Sequence, residues 1–192
     1  MHPRRLATFL LGVWLAVSGL ADFSAVQNFR SIDRFLSDPG PLAGANVEKL
    51  GKSEARILLR HQIGEINRFL FEKSEQIQIV LALAFLGTVF FVPAQLRLIP
   101  SILGSIMLLI LLADRFFLTP EITRLGRALD YPTAQNIAAD AFWRLHGIYS
   151  GLELLKLALG LGAAGFLVSR YRDRKVSTRK SAPSPVSVGA RG

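Results

Sequence analysis

Cysteine is absent from the chain. That excludes disulfide bonds, thiolate metal sites and thiol nucleophiles, and by itself says nothing about compartment. Histidine is nearly as scarce, with three in 192 residues, and His2 stands at the terminus. No HExxH element, no Ser-His-Asp arrangement and no nucleotide-binding glycine pattern occurs. No enzymatic activity is therefore expected, and no cofactor or metal. Internal repeats and heptad arrays are missing too. Polar surface is also in short supply. Hydrophobic residues make up 51% of the chain and the mean hydropathy is +0.36. That is too apolar for an ordinary soluble domain, and several long apolar runs account for it.

Acidic residues are outnumbered, 14 against 23 Lys and Arg, and the placement of the excess matters more than its size. Arg4 and Arg5 precede the first apolar run, Arg97 lies in a short turn, and seven basic residues follow Ser169 against Asp173 alone. Between Asp22 and Arg144, leaving out Arg97, the two signs balance. All the net charge, +9, is thus at the termini and one hairpin. This is the positive-inside pattern for two cytoplasmic termini. The excess is explained by orientation in a membrane, so no nucleic-acid partner is expected.

Four apolar segments emerge, at about 6–26, 77–93, 98–118 and 145–168, each read against the roughly 20 residues a helical span needs. The first, with its basic start and Gly19-x-Ala21, also fits a cleavable signal peptide. Residues 27–37 continue it as an amphipathic helix with Phe29, Ile32, Phe35 and Leu36 at helical spacing. Pro39-Gly40-Pro41 should stop that helix, and residues 42–52 read as a loop. Ser53 is a candidate N-cap for an amphipathic helix over 53–73 that runs into the second span. Pro93 to Pro100 reads as a tight turn. Thr119-Pro120-Glu121 reads as a fresh helix start, with a capping hydroxyl, a proline whose missing N–H is harmless and an early acid. The helix it begins covers 121–130 and should end before Tyr131-Pro132. From Thr133 the helix of the fourth span begins. The tail over 170–192 is basic, then Ser/Pro/Gly-rich, and is expected to be disordered and to attract anionic lipid headgroups.

The fourth span carries the unusual chemistry. Glu153 and Lys156 sit within it, although a charge at mid-bilayer depth costs ~2.5–3.5 kcal/mol on insertion scales. At 100° per residue, His146, Ser150 and Glu153 share a stripe, flanked by Tyr149 and Lys156 on one side and Trp143 on the other. Gly160 and Ala164 continue it as a small-residue pair that admits another helix closely. Opposite charges three residues apart can simply neutralise each other within a bundle. A role in function is the competing reading for ionisable groups at this depth. Asp22 and Asp114 each lie ~9 Å from the centre of their spans toward the outside, at 1.5 Å per residue. The ionisable residues of the spans therefore gather in the outer half or at the midplane. The expectation is an outward-facing polar pocket using Asp22, Asp114, Arg115, His146, Glu153 and Lys156, closed below by an apolar plug. A transporter or efflux factor is the first alternative, but it needs polar relays in the inner half as well. A haem or metal redox protein using His61 and His146 is the second, and it needs axial ligands placed across the bundle.

Leu118-Thr-Pro-Glu-Ile122, then Phe142-Trp-Arg-Leu-His-Gly147, then Leu152 and Leu154 resemble the bacterial four-span family catalogued as domain of unknown function 4149, which is similar to the eukaryotic transmembrane protein 205. The first span with Gln27-Asn-Phe-Arg30 after it, and Gly64 and Phe69 ahead of the second span, are compatible with it. The resemblance covers about residues 5–169. It implies four spans with no established activity, and it implies that the first span is retained. Glu153 stands where that family often has a neutral polar residue. The combined expectation is an all-α integral membrane four-helix bundle with amphipathic outer segments. It would lie in a bacterial inner membrane, with the bilayer, a membrane-protein partner or further copies of itself as partners.

Overall fold

The computed structural model describes the backbone of residues 2–129 and 135–180 and the side chains of 2–129 and 138–169; among these residues the chain is all-helical, without a strand. Helix α1 spans Pro3–Ser37. It carries the first apolar run and its amphipathic continuation without a break. Pro3 falls at the helix start, where its missing N–H costs nothing. Helix α2 spans Gly40–Leu50, so the loop expected over 42–52 is instead a helix. Gly40 (φ 70°) and Gly51 (φ 88°) provide the turns before and after it, conformations that other residues resist. Val47 of α2 packs on Ile32, Leu36 and Ala55, a small apolar cluster that rewards the helix over the loop.

Helix α3 spans Lys52–Phe90. It starts directly after Gly51, with no side-chain cap, so Ser53 does not cap it. It joins the amphipathic 53–73 segment to the second apolar run in one rod. Helix α4 spans Ala94–Ala113 and contains Pro100, so of the turn expected over 93–100 only Pro93 lies outside the helix. A π-helical turn over Asp114–Leu118 then leads directly into α5, Thr119–Leu129. Thr119 does not cap a fresh helix start: the backbone is helical through it (φ −59°, ψ −43°), and its hydroxyl donates to Glu75. Pro120 accounts for the π turn. In an α-helix its ring would strike the carbonyl of residue 116, and a wider turn just before it moves that carbonyl aside. The break expected at Tyr131-Pro132 and the start at Thr133 lie outside the described residues. Helix α6 spans Gln135–Lys180. It overruns the boundary expected at 169, because no proline lies between Pro132 and Pro183 and a basic last turn suits a helix C-terminus. Residues 181–192 of the expected tail lie outside the described residues.

Helices α1 and α3 lie antiparallel along their length. Three levels fix the register: Trp14 Nε1 donates to Gln78 (3.2 Å), Asn67 Nδ2 donates to the Ala25 carbonyl (3.4 Å), and Asp33 pairs with Arg56 (3.2 Å). The main core is apolar and draws on α1 (Ala7, Leu11, Trp14), α3 (Ala82, Phe85, Val89), α4 (Met107, Leu111) and α6 (Ala163, Leu167). Gly160 permits the expected close approach: a Cβ there would strike Leu15 of α1 and Met107 of α4. Gly104 plays the same part for α4 against Phe85, whose ring lies 2.6 Å from where its Cβ would be. At the end of the bundle that holds the chain's N-terminus, the Arg4 guanidinium donates to the Leu167 carbonyl and ties α1 to α6.

Three stretches, Pro3–Ser37, Ala94–Leu129 and Ala138–Ser169, are long and apolar enough to cross a bilayer. The apolar part of α3, residues 77–90, rises only ~21 Å, short of the ~30 Å hydrocarbon thickness. Large apolar side chains face outward from all four long helices, among them Phe9, Leu20, Val80, Leu109 and Leu161, each more than half exposed. Such a surface matches hydrocarbon better than water.

Candidate functional site

Above the apolar core, toward α2, the packing changes character. Lys156 Nζ donates to Glu153 Oε1 at 2.5 Å, and the two side chains are 1% and 5% exposed. Ser18, on the facing side of α1, donates to the other Glu153 oxygen at 2.6 Å. The i, i+3 spacing on α6 produces the ion pair, and α1 completes its hydrogen bonding. Asp22, one turn beyond Ser18, is within electrostatic reach of both Glu153 and Lys156. Asp114, at the start of the π turn, is fully buried and within reach of Glu153, Lys156, Glu75 and Asp22. Neither Asp114 oxygen has a hydrogen-bond partner among the described residues.

Glu75 of α3 is the third buried acid, 1% exposed, beside the half-buried Asp22. It accepts from Thr119 at 2.5 Å, and its other oxygen lies 3.9 Å from Arg115 Nε. Arg115 also reaches Glu72 at 3.4 Å. The π turn therefore turns Arg115 toward α3 and not toward the Glu153–Lys156 pair. Buried charges persist only when paired and hydrogen-bonded. Here two basic groups serve three buried acids, the half-buried Asp22 and Glu72.

Next to this cluster is a cavity of about 1020 Å³, walled by α1, α3, α5 and α6. Asp22 and Glu153 mark one end. Phe29, Ile57, Ile122 and Phe142 contribute apolar wall. Arg30, Arg56 and Arg60 line it on the side of α2. His146 lines it with its ring stacked on Phe142 (centroids 5.6 Å apart, planes 10° apart) and edge-on to Trp143 (5.9 Å). Tyr149, buried beside it, meets Phe71 edge-on at 5.8 Å. Nearby, Asn67 accepts from Asn28 at 2.7 Å. Glu65 binds Arg127 of α5 (2.9 Å) and Arg68 (2.6 Å), which docks α5 on α3. The Arg127 hydrogen bond, aided by Arg68, holds the Glu65 carboxyl at about 2, below the usual carboxylate range.

Of the six residues expected to form a pocket, Asp22, His146 and Glu153 line this cavity. Lys156 and Asp114 stand in the buried cluster behind it, and Arg115 is drawn to Glu72 and Glu75. His61 is not among the lining residues, so the structure does not bring His61 and His146 to one wall. Among the described residues no three His, Asp or Glu side chains are grouped as metal ligands. Three contributors were not foreseen: Ser18, Glu75 and the arginines of α1 and α3. The signal for Glu75 was present. Asn67, Ser74 and Gln78, at intervals of seven and four, mark one polar face of α3, and Glu75 adjoins it. An apolar-walled cavity with acids at one end and arginines at the other is suited to binding an amphipathic molecule. No family model, no curated protein and no solved structure matches the chain.

Proposed function

We propose that this chain is a non-enzymatic integral membrane protein that holds an amphipathic small molecule in the cavity between α1, α3, α5 and α6. In this reading α3 crosses the bilayer as a fourth span. Both termini are cytoplasmic, the cavity faces outward, and membership of the four-span family that the sequence resembles is part of the proposal. The carrying observation is the cavity itself, about 1020 Å³, set beside a buried ion pair and above an apolar core. A cavity of this size and lining is the usual form of a small-molecule site. The apolar core speaks for binding over passage. Below the level of Trp14 and Gln78 its buried members are Ala, Leu, Phe, Val and Met, and among the described residues the one buried charged side chain at that end is Arg4, which is tied to the Leu167 carbonyl.

Thr123 lines the cavity on α5, and Thr123→Trp fills it from a half-buried position. Native mass spectrometry of the protein released from mild detergent should show a retained small molecule on the wild type and none on the folded Thr123→Trp variant. Identical spectra for the two, with or without a retained molecule, would overturn the proposal.

A further inference from the structure

We infer that the occupant of the cavity is a bilayer lipid with an anionic headgroup, bound by Arg30, Arg56 and Arg60. This rests on reading the cavity as a ligand site, and it adds the class of ligand and the polarity with which it lies. Arg30 and Arg60 make no ion pair or hydrogen bond with any described residue. Arg56 has Asp33 as its partner at 3.2 Å, with both side chains more than half exposed, and such a pair is weak. The α2 side of the cavity thus carries three guanidinium groups against one carboxylate. Guanidinium groups bind phosphate and carboxylate in a bidentate geometry that lysine does not reproduce.

Depth agrees with charge. Arg30 is eight residues beyond Asp22 on an unbroken helix, ~12 Å further along its axis. With the first span centred near residue 16, that places Arg30 ~21 Å from the midplane, within the headgroup layer of a bilayer ~40–45 Å thick overall. The acids Asp22 and Glu153, deeper in the same cavity, repel an anionic head and fix it at the arginine end. The cavity also offers apolar contact for a hydrocarbon chain. Val26 and Leu154, on α1 and α6, both line it and are 50% and 68% exposed. An acyl chain would lie along these two side chains while its head remains with the arginines.

The test uses the full chain in nanodiscs of phosphatidylcholine with phosphatidylglycerol as the minor component. Trp143 lines the cavity and serves as the reporter. Its quenching by brominated-chain phosphatidylglycerol is compared with quenching by brominated-chain phosphatidylcholine. Preference for phosphatidylglycerol is expected, and it should fall about fivefold for each arginine neutralised, measured in the Arg30→Gln/Arg60→Gln variant. That variant leaves the basic C-terminal segment intact, so attraction of lipid to that segment does not enter the comparison. No preference, or a preference unchanged in the double variant, overturns the inference. Displacement of the lipid by inorganic phosphate at comparable concentration also overturns it, in favour of a soluble anion. If both lipids quench the wild type equally and the cavity-filling Thr123→Phe variant, which adds no second reporter, abolishes both, the cavity binds lipid without reading the headgroup and only the present inference fails. Quenching unaffected by Thr123→Phe defeats the cavity reading as well.

Discussion

Separate and joint replacement of Glu153 and Lys156 by leucine probes how the buried charges are held. Each side chain is at most 5% exposed, and the pair is made at 2.5 Å. Removing one partner from a buried pair costs about 3–5 kcal/mol, because the other is left charged and desolvated. Lys156→Leu should be the worse single change. It leaves Glu153 with only the Ser18 hydroxyl, and it removes the ammonium within reach of Asp22, Asp114 and Glu75. Glu153→Leu strands Lys156, but those three acids remain near it, and Ser18 loses an acceptor worth about 1 kcal/mol. The double variant removes both charges and should lie within about 1–2 kcal/mol of the wild type, since apolar replacement of a whole buried pair is often neutral or stabilising. The cycle should therefore yield a coupling of about 3 kcal/mol or more. Reversible denaturation in mixed micelles measures it. Single variants each within about 1 kcal/mol of wild type, or a double variant equal to the sum of the singles, would refute the reasoning.

Asp114→Asn should leave the protein as stable as the wild type or more so, because it replaces a carboxylate without hydrogen-bond partners by a neutral group of the same shape; a loss in thermal unfolding as large as that of Lys156→Leu would show that the Asp114 charge is needed. Gly104→Ala drives a methyl into the ring of fully buried Phe85 and should cost about 1–3 kcal/mol. Gly160→Ala meets the ends of the Leu15 and Met107 side chains, which can yield, so a smaller loss in the same denaturation assay is expected. Glu65 is held at about 2, below its ordinary value of 4.5. Its contribution to docking α5 is fully present above pH 4.5 and disappears as pH falls toward 2. The contribution is about 1 kcal/mol at most, since the pairs are partly exposed, and Arg127→Ala should remove much of this acid sensitivity as read by hydrogen exchange in α5.

Much of the architecture is legible in the sequence because apolar periodicity in long helices is a strong signal. The continuity of α1, the amphipathic start of α3, the Gly160 contact and the Glu153–Lys156 pair are all set by spacing alone. The structure departs from the sequence reading where proline and glycine look like punctuation. Pro41 sits at the start of α2, Pro100 inside α4, and Pro120 after a π turn that absorbs its ring. Pro41 is tolerated by its place in the first turn of α2 and Pro120 by a local change of helix type, and neither context is visible in a window of sequence. The cavity is half legible. Depth counting on α1, α4 and α6 gathers Asp22, Asp114 and Glu153 in the outer half of the bundle. It does not bring in the arginines, because their proximity depends on the register of α1 against α3, set by Trp14–Gln78, Asn67–Ala25 and Asp33–Arg56.

The π turn links the two halves of the site. An uninterrupted α-helix through residues 114–118 would rotate Asp114 and Arg115 relative to α5 by the difference between wider and tighter turns. In the observed turn Asp114 points into the buried cluster, while Arg115 reaches Glu72 and Glu75 on α3 and Thr119 closes on Glu75. The same turn leads into α5, whose Ile122, Thr123 and Gly126 form cavity wall. The geometry that lets Pro120 continue the helix thus also divides the charges between a buried group behind the cavity and a brace on α3. Gly126 completes the brace at the far side, where a Cβ would stand 3.1 Å from the Arg68 guanidinium and 3.3 Å from Phe142. The cavity wall is therefore no independent lid. Changes at Pro120 should be felt both in the environment of Asp114 and in the reach of Arg115 toward Glu72, because one backbone irregularity sets both.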